Sequence, residues 1–167
     1  RLSLVGSEMC IRDSSEVVVA RQTSDNHTYC LKVIRREASG PRLRLEYEAR
    51  RLMGLSSQHT PAVVAASGKA ESLLVVFDYV SGPSLETLFR HRPPFSFEDS
   101  LAVIQCVLGA LRDIHACGVL HRDVRPANLI LKSSDPRDTM LVDFGPTRSW
   151  DSAQLGRQHG DLAWFLS

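Results

Sequence analysis

Hydrophobic and polar positions along the chain change period more than once. Two short β-branched or aromatic runs, "EVVVARQ" and "TYCLKVI", flank the polar cluster "TSDNH". That arrangement predicts a β-hairpin. In "PRLRLEYEARRLMGL" the apolar positions Leu45, Leu52 and Leu55 recur at helical spacing, with Pro41 suited to a first turn, so an amphipathic helix is predicted. "TPAVVAASG" and "ESLLVVFDYV" read as two more strands, the second fully buried. The period turns helical in "GPSLETLF" and again in "SFEDSLAVIQCVLGALRDIHACG", where Ser96 and Asp99 supply starting signals and Gly118 a stop. Short strands are expected around "VLH", "NLIL" and "TMLVDF", with "SSDPRD" as a turn. Strands first and helices afterwards predict an α+β chain: a small sheet lobe to about Val80, and a mostly helical lobe beyond it.

Composition narrows the function classes. The 167 residues are 43% apolar and 23% charged, which suits a globular domain with a sizeable core. A formal net charge of +1 provides no basic field for a nucleic-acid partner. The cysteines, Cys10, Cys30, Cys106 and Cys117, lack CxxC spacing, so neither a disulfide framework nor a zinc site is expected, and a reducing, cytoplasmic setting is. No apolar run has the length of a membrane span and no signal peptide is visible. The chain begins at Arg1 and stops in the apolar run "LAWFLS", so both ends are expected to be cut.

The densest chemistry lies in "VLHRDVRPANLIL", which sets His121, Arg122, Asp123 and Asn128 between a long helix and a short strand. Further on, "LVDFG" adds Asp143 at a strand end before a glycine. Phosphoryl transfer needs such a set: one carboxylate to orient an acceptor hydroxyl, and an amide oxygen with a second carboxylate to hold magnesium. "HRDVRPAN" resembles the catalytic loop of the eukaryotic-type protein kinase domain, "DFG" its magnesium-binding segment, and "YCLK" the strand whose lysine meets the α- and β-phosphates. The resemblance runs from about Ser15 to the end and implies a bilobal protein-kinase-like fold with only part of the helical lobe.

What the resemblance implies residue by residue is as follows. Asp123 is the catalytic base, Asn128 and Asp143 bind Mg²⁺, and Lys32 steadies the phosphates of ATP. Lys32 should pair with a glutamate on the next helix. Glu48 is chosen over Glu46 because Glu48, Leu52 and Leu55 share one face. Phe77 would guard the back of an adenine pocket, Asp78, Tyr79 and Val80 would offer backbone groups to the purine, and Cys30 could contact the base or serve as a small buried hydrophobe. His121 should pack under the segment of Asp143, while Arg122 would anchor an acidic or phosphorylated partner. Arg125 stands where Ser/Thr-specific kinases carry a lysine to the γ-phosphate; it keeps the charge with a different geometry. The implied activity is ATP- and magnesium-dependent phosphorylation of protein Ser/Thr hydroxyls, with accessory domains in the full-length protein. A small-molecule kinase and a non-catalytic binding module are the alternatives. "GDLAWFLS" resembles either the end of an activation segment or, from Asp161, the next core helix.

A glycine-rich phosphate loop ought to precede Ser15, yet "LVGSEMCIRDS" stands there with Gly6 alone. Leu4 to Ser14 resembles, without a mismatch, the translation of a transposase sequencing adapter. Residues 1–14 are therefore expected to be non-native, with the first strand and its loop missing. The sheet lobe then covers 15–80 and the partial helical lobe 81–167. The fragment by itself is expected to be inactive.

Overall fold

The computed structural model describes residues 2–4, 15–35, 50–51, 53–69, 72–91 and 95–143. Their contacts fall into two compact units. One holds the described residues up to Gly54 together with Ala62–Tyr79; the other holds Leu55–Pro61 and the described residues from Val80 onward.

The first unit is an antiparallel sheet of five strands in the order β1-β2-β3-β5-β4. The strands are β1 (Leu2–Leu4), β2 (Ser15–Gln22), β3 (Thr28–Arg35), β4 (Val63–Lys69) and β5 (Ser72–Asp78). The polar cluster makes the β2–β3 turn as its composition demands: Gln22 N–H donates to the His27 carbonyl at 2.7 Å. Asn26 takes φ 63°, a left-handed conformation asparagine tolerates. β1 falls within residues 1–14, the segment expected to be non-native. Leu2–Leu4 pair with Ala20–Gln22 along the outer edge of β2. A free strand edge accepts backbone hydrogen bonds from any extended segment, whatever its side chains.

The hairpin register decides which side chains share a face. Cys30 lies between Val19 and Phe77, and Lys32 between Val17 and Val75. Cross-strand partners point the same way, so these six residues line one face of the sheet. β5 is not buried throughout, contrary to expectation. Val75 and Phe77 are buried while Leu74 and Val76 are half-exposed, the alternation of an antiparallel strand covered on one side. Of the helix expected over 41–55, Arg50 and Arg51 are helical and Met53–Gly54 turn; the rest of that segment lies outside the described residues.

The second unit contains α1 (Leu85–His91), α2 (Phe97–Ala116) and the two-stranded ribbon β6 (Leu129–Leu131) with β7 (Thr139–Leu141). α2 starts where Ser96 Oγ accepts the Asp99 N–H at 3.1 Å, and ends where Gly118, at φ 68°, donates its N–H to the His115 carbonyl. One stripe of α2, including Val103, Val107, Leu111 and Ile114, is buried with Leu129, Leu131 and Leu141 in the core of this unit. No strand forms at 119–121: Val119 N–H closes back onto the Ile114 carbonyl at 3.3 Å, extending the helix cap instead. Ahead of α1, Gly82 sits at φ 140°, and a Cβ there would overlap the Leu131 carbonyl. Only glycine lets this stretch lie against β6, where Leu131 N–H meets the Pro83 carbonyl at 3.0 Å. Among the described residues no helix is long and apolar enough to cross a membrane.

Candidate active site

The loop between α2 and β6 is built around a fully buried histidine. His121 has no solvent exposure. Its Nδ1 accepts the Asp123 N–H at 3.2 Å, which leaves the proton on Nε2, and Nε2–H donates to the Val142 carbonyl at 3.0 Å. One neutral imidazole thereby ties the backbone of Asp123 to the residue before Asp143. A second tie runs the other way, from Val142 N–H to the Asn128 carbonyl at 2.9 Å. The histidine packs beneath the Asp143 segment, as the sequence suggested.

Asn128 is buried too, at the end of a 3-10 turn over Pro126–Asn128. Its Nδ2 donates to the Asp123 backbone carbonyl at 2.8 Å and to Asp123 Oδ2 at 2.9 Å. Both amide hydrogens are then spent on Asp123, and Oδ1 is the end of the side chain that can accept or coordinate. Arg122 and Asp143 adopt φ 67° and φ 64°, a conformation non-glycine residues seldom take and one that gathers at functional sites. The structure thus brings Asp123, Asn128 and the backbone of Val142, next to Asp143, into one hydrogen-bonded group. Arg125 stands exposed at the start of the 3-10 turn, its carbonyl accepting the Asn128 N–H at 2.9 Å.

The remaining candidates are in the first unit. Lys32 is 2% exposed on β3, on the same face as Cys30 and the buried Phe77. Glu48, the lysine's expected partner, lies outside the described residues, as do Glu46 and everything after Asp143. The N–H groups of Asp78 and Tyr79 are committed, to the carbonyls of Ala62 at 3.0 Å and Thr28 at 3.2 Å. Of Asp78, Tyr79 and Val80, all expected to offer backbone groups to a purine, only Val80 N–H has no backbone partner among the described residues. The reason is strand continuation, since β5 keeps its ladder to Asp78. The Asp78 side chain meets His27 Nε2 at 3.1 Å across the end of the β2–β3 hairpin. Sequence reading missed that pair because its members are far apart in the chain and match no motif. It also missed Val142, whose role rests on backbone atoms.

Residues 12–165 match the family described as "Protein kinase domain". The chain is 34% identical over 123 residues to the probable serine/threonine-protein kinase PkwA of Thermomonospora curvata, an alignment covering 72% of this chain and 16% of the relative. It is 33% identical over 150 residues to the serine/threonine-protein kinase PkaA of Streptomyces coelicolor, covering 87% and 27%. The chain therefore spans about a quarter or less of the length of these relatives. A crystal structure of Rad53 1-466 in complex with AMP-PNP superposes with a TM-score of 0.70 at 21% identity, covering 86% of this chain and 38% of that one, which shows a shared fold.

Proposed function

The chain belongs to the protein kinase domain family, and on that premise we propose that it carries the catalytic residues of an ATP- and magnesium-dependent transferase acting on protein Ser/Thr hydroxyls. The observation that supports this reading most directly is the double hydrogen bond from Asn128 to Asp123, tied by the loop to Val142, the residue before Asp143. It holds a carboxylate in place while turning an amide oxygen away from it.

Each residue then has a task its chemistry permits. Asp123, steadied at Oδ2, orients the acceptor hydroxyl and takes its proton. Lys32 neutralises the α- and β-phosphates, a role that suits a cation buried on an otherwise apolar face, with Glu48 as its partner. Val80 N–H donates to the purine, Cys30 and Phe77 cover it, and Asp78 and Tyr79 contribute carbonyls rather than donors. Arg125 meets the γ-phosphate with a forked guanidinium. Magnesium in phosphotransfer takes one or two protein oxygens and completes its shell with phosphates and water, so Asn128 Oδ1 and the Asp143 carboxylate suit it as a donor set. When bound, the ion would offset the charge on the transferring phosphoryl group. Among the described residues no cluster of three His, Cys, Asp or Glu offers a competing metal site.

The relatives named above are called serine/threonine-protein kinases, and the Rad53 chain holds AMP-PNP; both favour a protein acceptor and an adenine nucleotide here. The test is phosphate transfer from ATP by the full-length protein to a panel of Ser/Thr peptides. Asp123→Asn should lower kcat by about 10²–10⁴-fold, with little change in nucleotide affinity. Equal turnover in wild type and Asp123→Asn overturns the reading.

A further inference from the structure

We propose that the loop Leu55–Pro61 is a positioning element for the Asp143 carboxylate, seated on α2 in a notch left by Gly109 and joined to β7 through the His59 carbonyl. The inference rests on the kinase reading of Asp143 and adds to it residues that no motif supplies.

Three hydrogen bonds hold the two residues that precede Asp143. Val142 N–H goes to Asn128 and the Val142 carbonyl to His121, both in the catalytic loop. The third takes Leu141 N–H to the His59 carbonyl at 2.8 Å. His59 lies between two segments of the sheet unit in sequence, yet it packs with the helical unit. Leu141 is 1% exposed, so this bond is shielded from water and its loss would leave an unpaired donor in the core.

The loop is held by side chains chosen for contact with α2. The His59 ring covers Gly109: a Cβ at that position would come within 2.9 Å of His59 Cδ2, so any larger residue must push the ring away. Ser57 Oγ accepts the His59 N–H at 3.2 Å. The same hydroxyl bonds to Asp113, chiefly for which reason that carboxyl lies below its ordinary range, with Arg112 assisting at 2.8 Å. Thr60 and Pro61 are buried beside them. A path of contacts therefore leads from the outer half of α2, through Ser57 and His59, into β7 and on to Asp143. Displacing the loop should loosen the metal-binding carboxylate without touching nucleotide or acceptor.

The test uses the full-length protein and measures the half-saturating Mg²⁺ concentration both from the rise in thermal midpoint with a non-hydrolysable ATP analogue and from phosphotransfer, separately from kcat at saturating Mg²⁺. Gly109→Ala should raise the half-saturating concentration roughly three-fold or more with kcat nearly kept. Adding His59→Ala, which removes the ring but keeps the carbonyl, should return it toward wild type. Ser57→Ala should shift it in the same direction as Gly109→Ala, and decides the matter if Gly109→Ala does not fold. Wild-type Mg²⁺ dependence in folded Gly109→Ala and Ser57→Ala, in an enzyme that Asp143→Asn inactivates, overturns this proposal alone. A wild type that shows no turnover, or that is indifferent to Asp143→Asn, overturns the kinase reading and this proposal with it.

Discussion

His121 shows how much one buried side chain can organise. It satisfies the Asp123 N–H on one side and the Val142 carbonyl on the other, and water reaches neither contact. His121→Ala leaves both backbone groups without their partner and opens a cavity, so a loss of about 3 kcal/mol or more is expected in chemical denaturation. Phosphotransfer should fall with it, since Asp123 and Asp143 are both held through this ring. Cys106 gives a residue-scale test by pH. Its thiol is buried on α2, 3.1 Å from the Arg137 carbonyl, and burial pushes its pKa up. Below about pH 8.5 the thiol is neutral in folded and unfolded chains alike, and its contribution is intact. Above that the unfolded chain ionises first, so stability declines as pH rises toward the folded value. Unfolding midpoints measured across pH 8–10 should therefore fall less steeply in Cys106→Ala than in wild type.

Among the elements, α2 and the stretch ahead of α1 illustrate opposite degrees of legibility. The helix announced itself through its cap at Ser96, its glycine stop and its apolar stripe, and each of these is a local property of the chain. The tight packing of Gly82 on β6 has no such signature, because the Leu131 carbonyl that excludes a Cβ lies far along the sequence. Gly82→Ala must both move that carbonyl and strain the backbone, so a cost of at least about 1–3 kcal/mol is expected, read as a lower thermal midpoint. A neutral result would show that the segment can leave β6 freely. The segment at 119–121 was misread as a strand for a related reason. Val119 is buried in the helical unit while Leu120 is exposed, and short apolar runs do not reveal which partner buries them.

For the whole molecule the reading is an α+β chain of the protein kinase domain family whose two units carry different parts of the chemistry. Mg²⁺–ATP should stabilise the full-length protein, by about 2.7 kcal/mol at a hundred-fold excess over Kd. Lys32→Met and Asp143→Asn should each reduce the rise in thermal midpoint; a rise unchanged in both variants would refute the assigned nucleotide roles. The order HRD, Asn128, DFG and the strand lysine was legible from the sequence, because reactive groups must have particular chemical identities and those identities are written in the residue types. So were the hairpin and the caps, which depend on neighbours a few positions apart. Tertiary structure alone decided that Leu55–Pro61 joins the helical unit, that Asp78 turns to His27, and that Val142 binds the catalytic loop to Asp143. Those facts rest on backbone hydrogen bonds and close approaches between distant segments, for which any of many side chains would serve, and so they leave no mark on sequence.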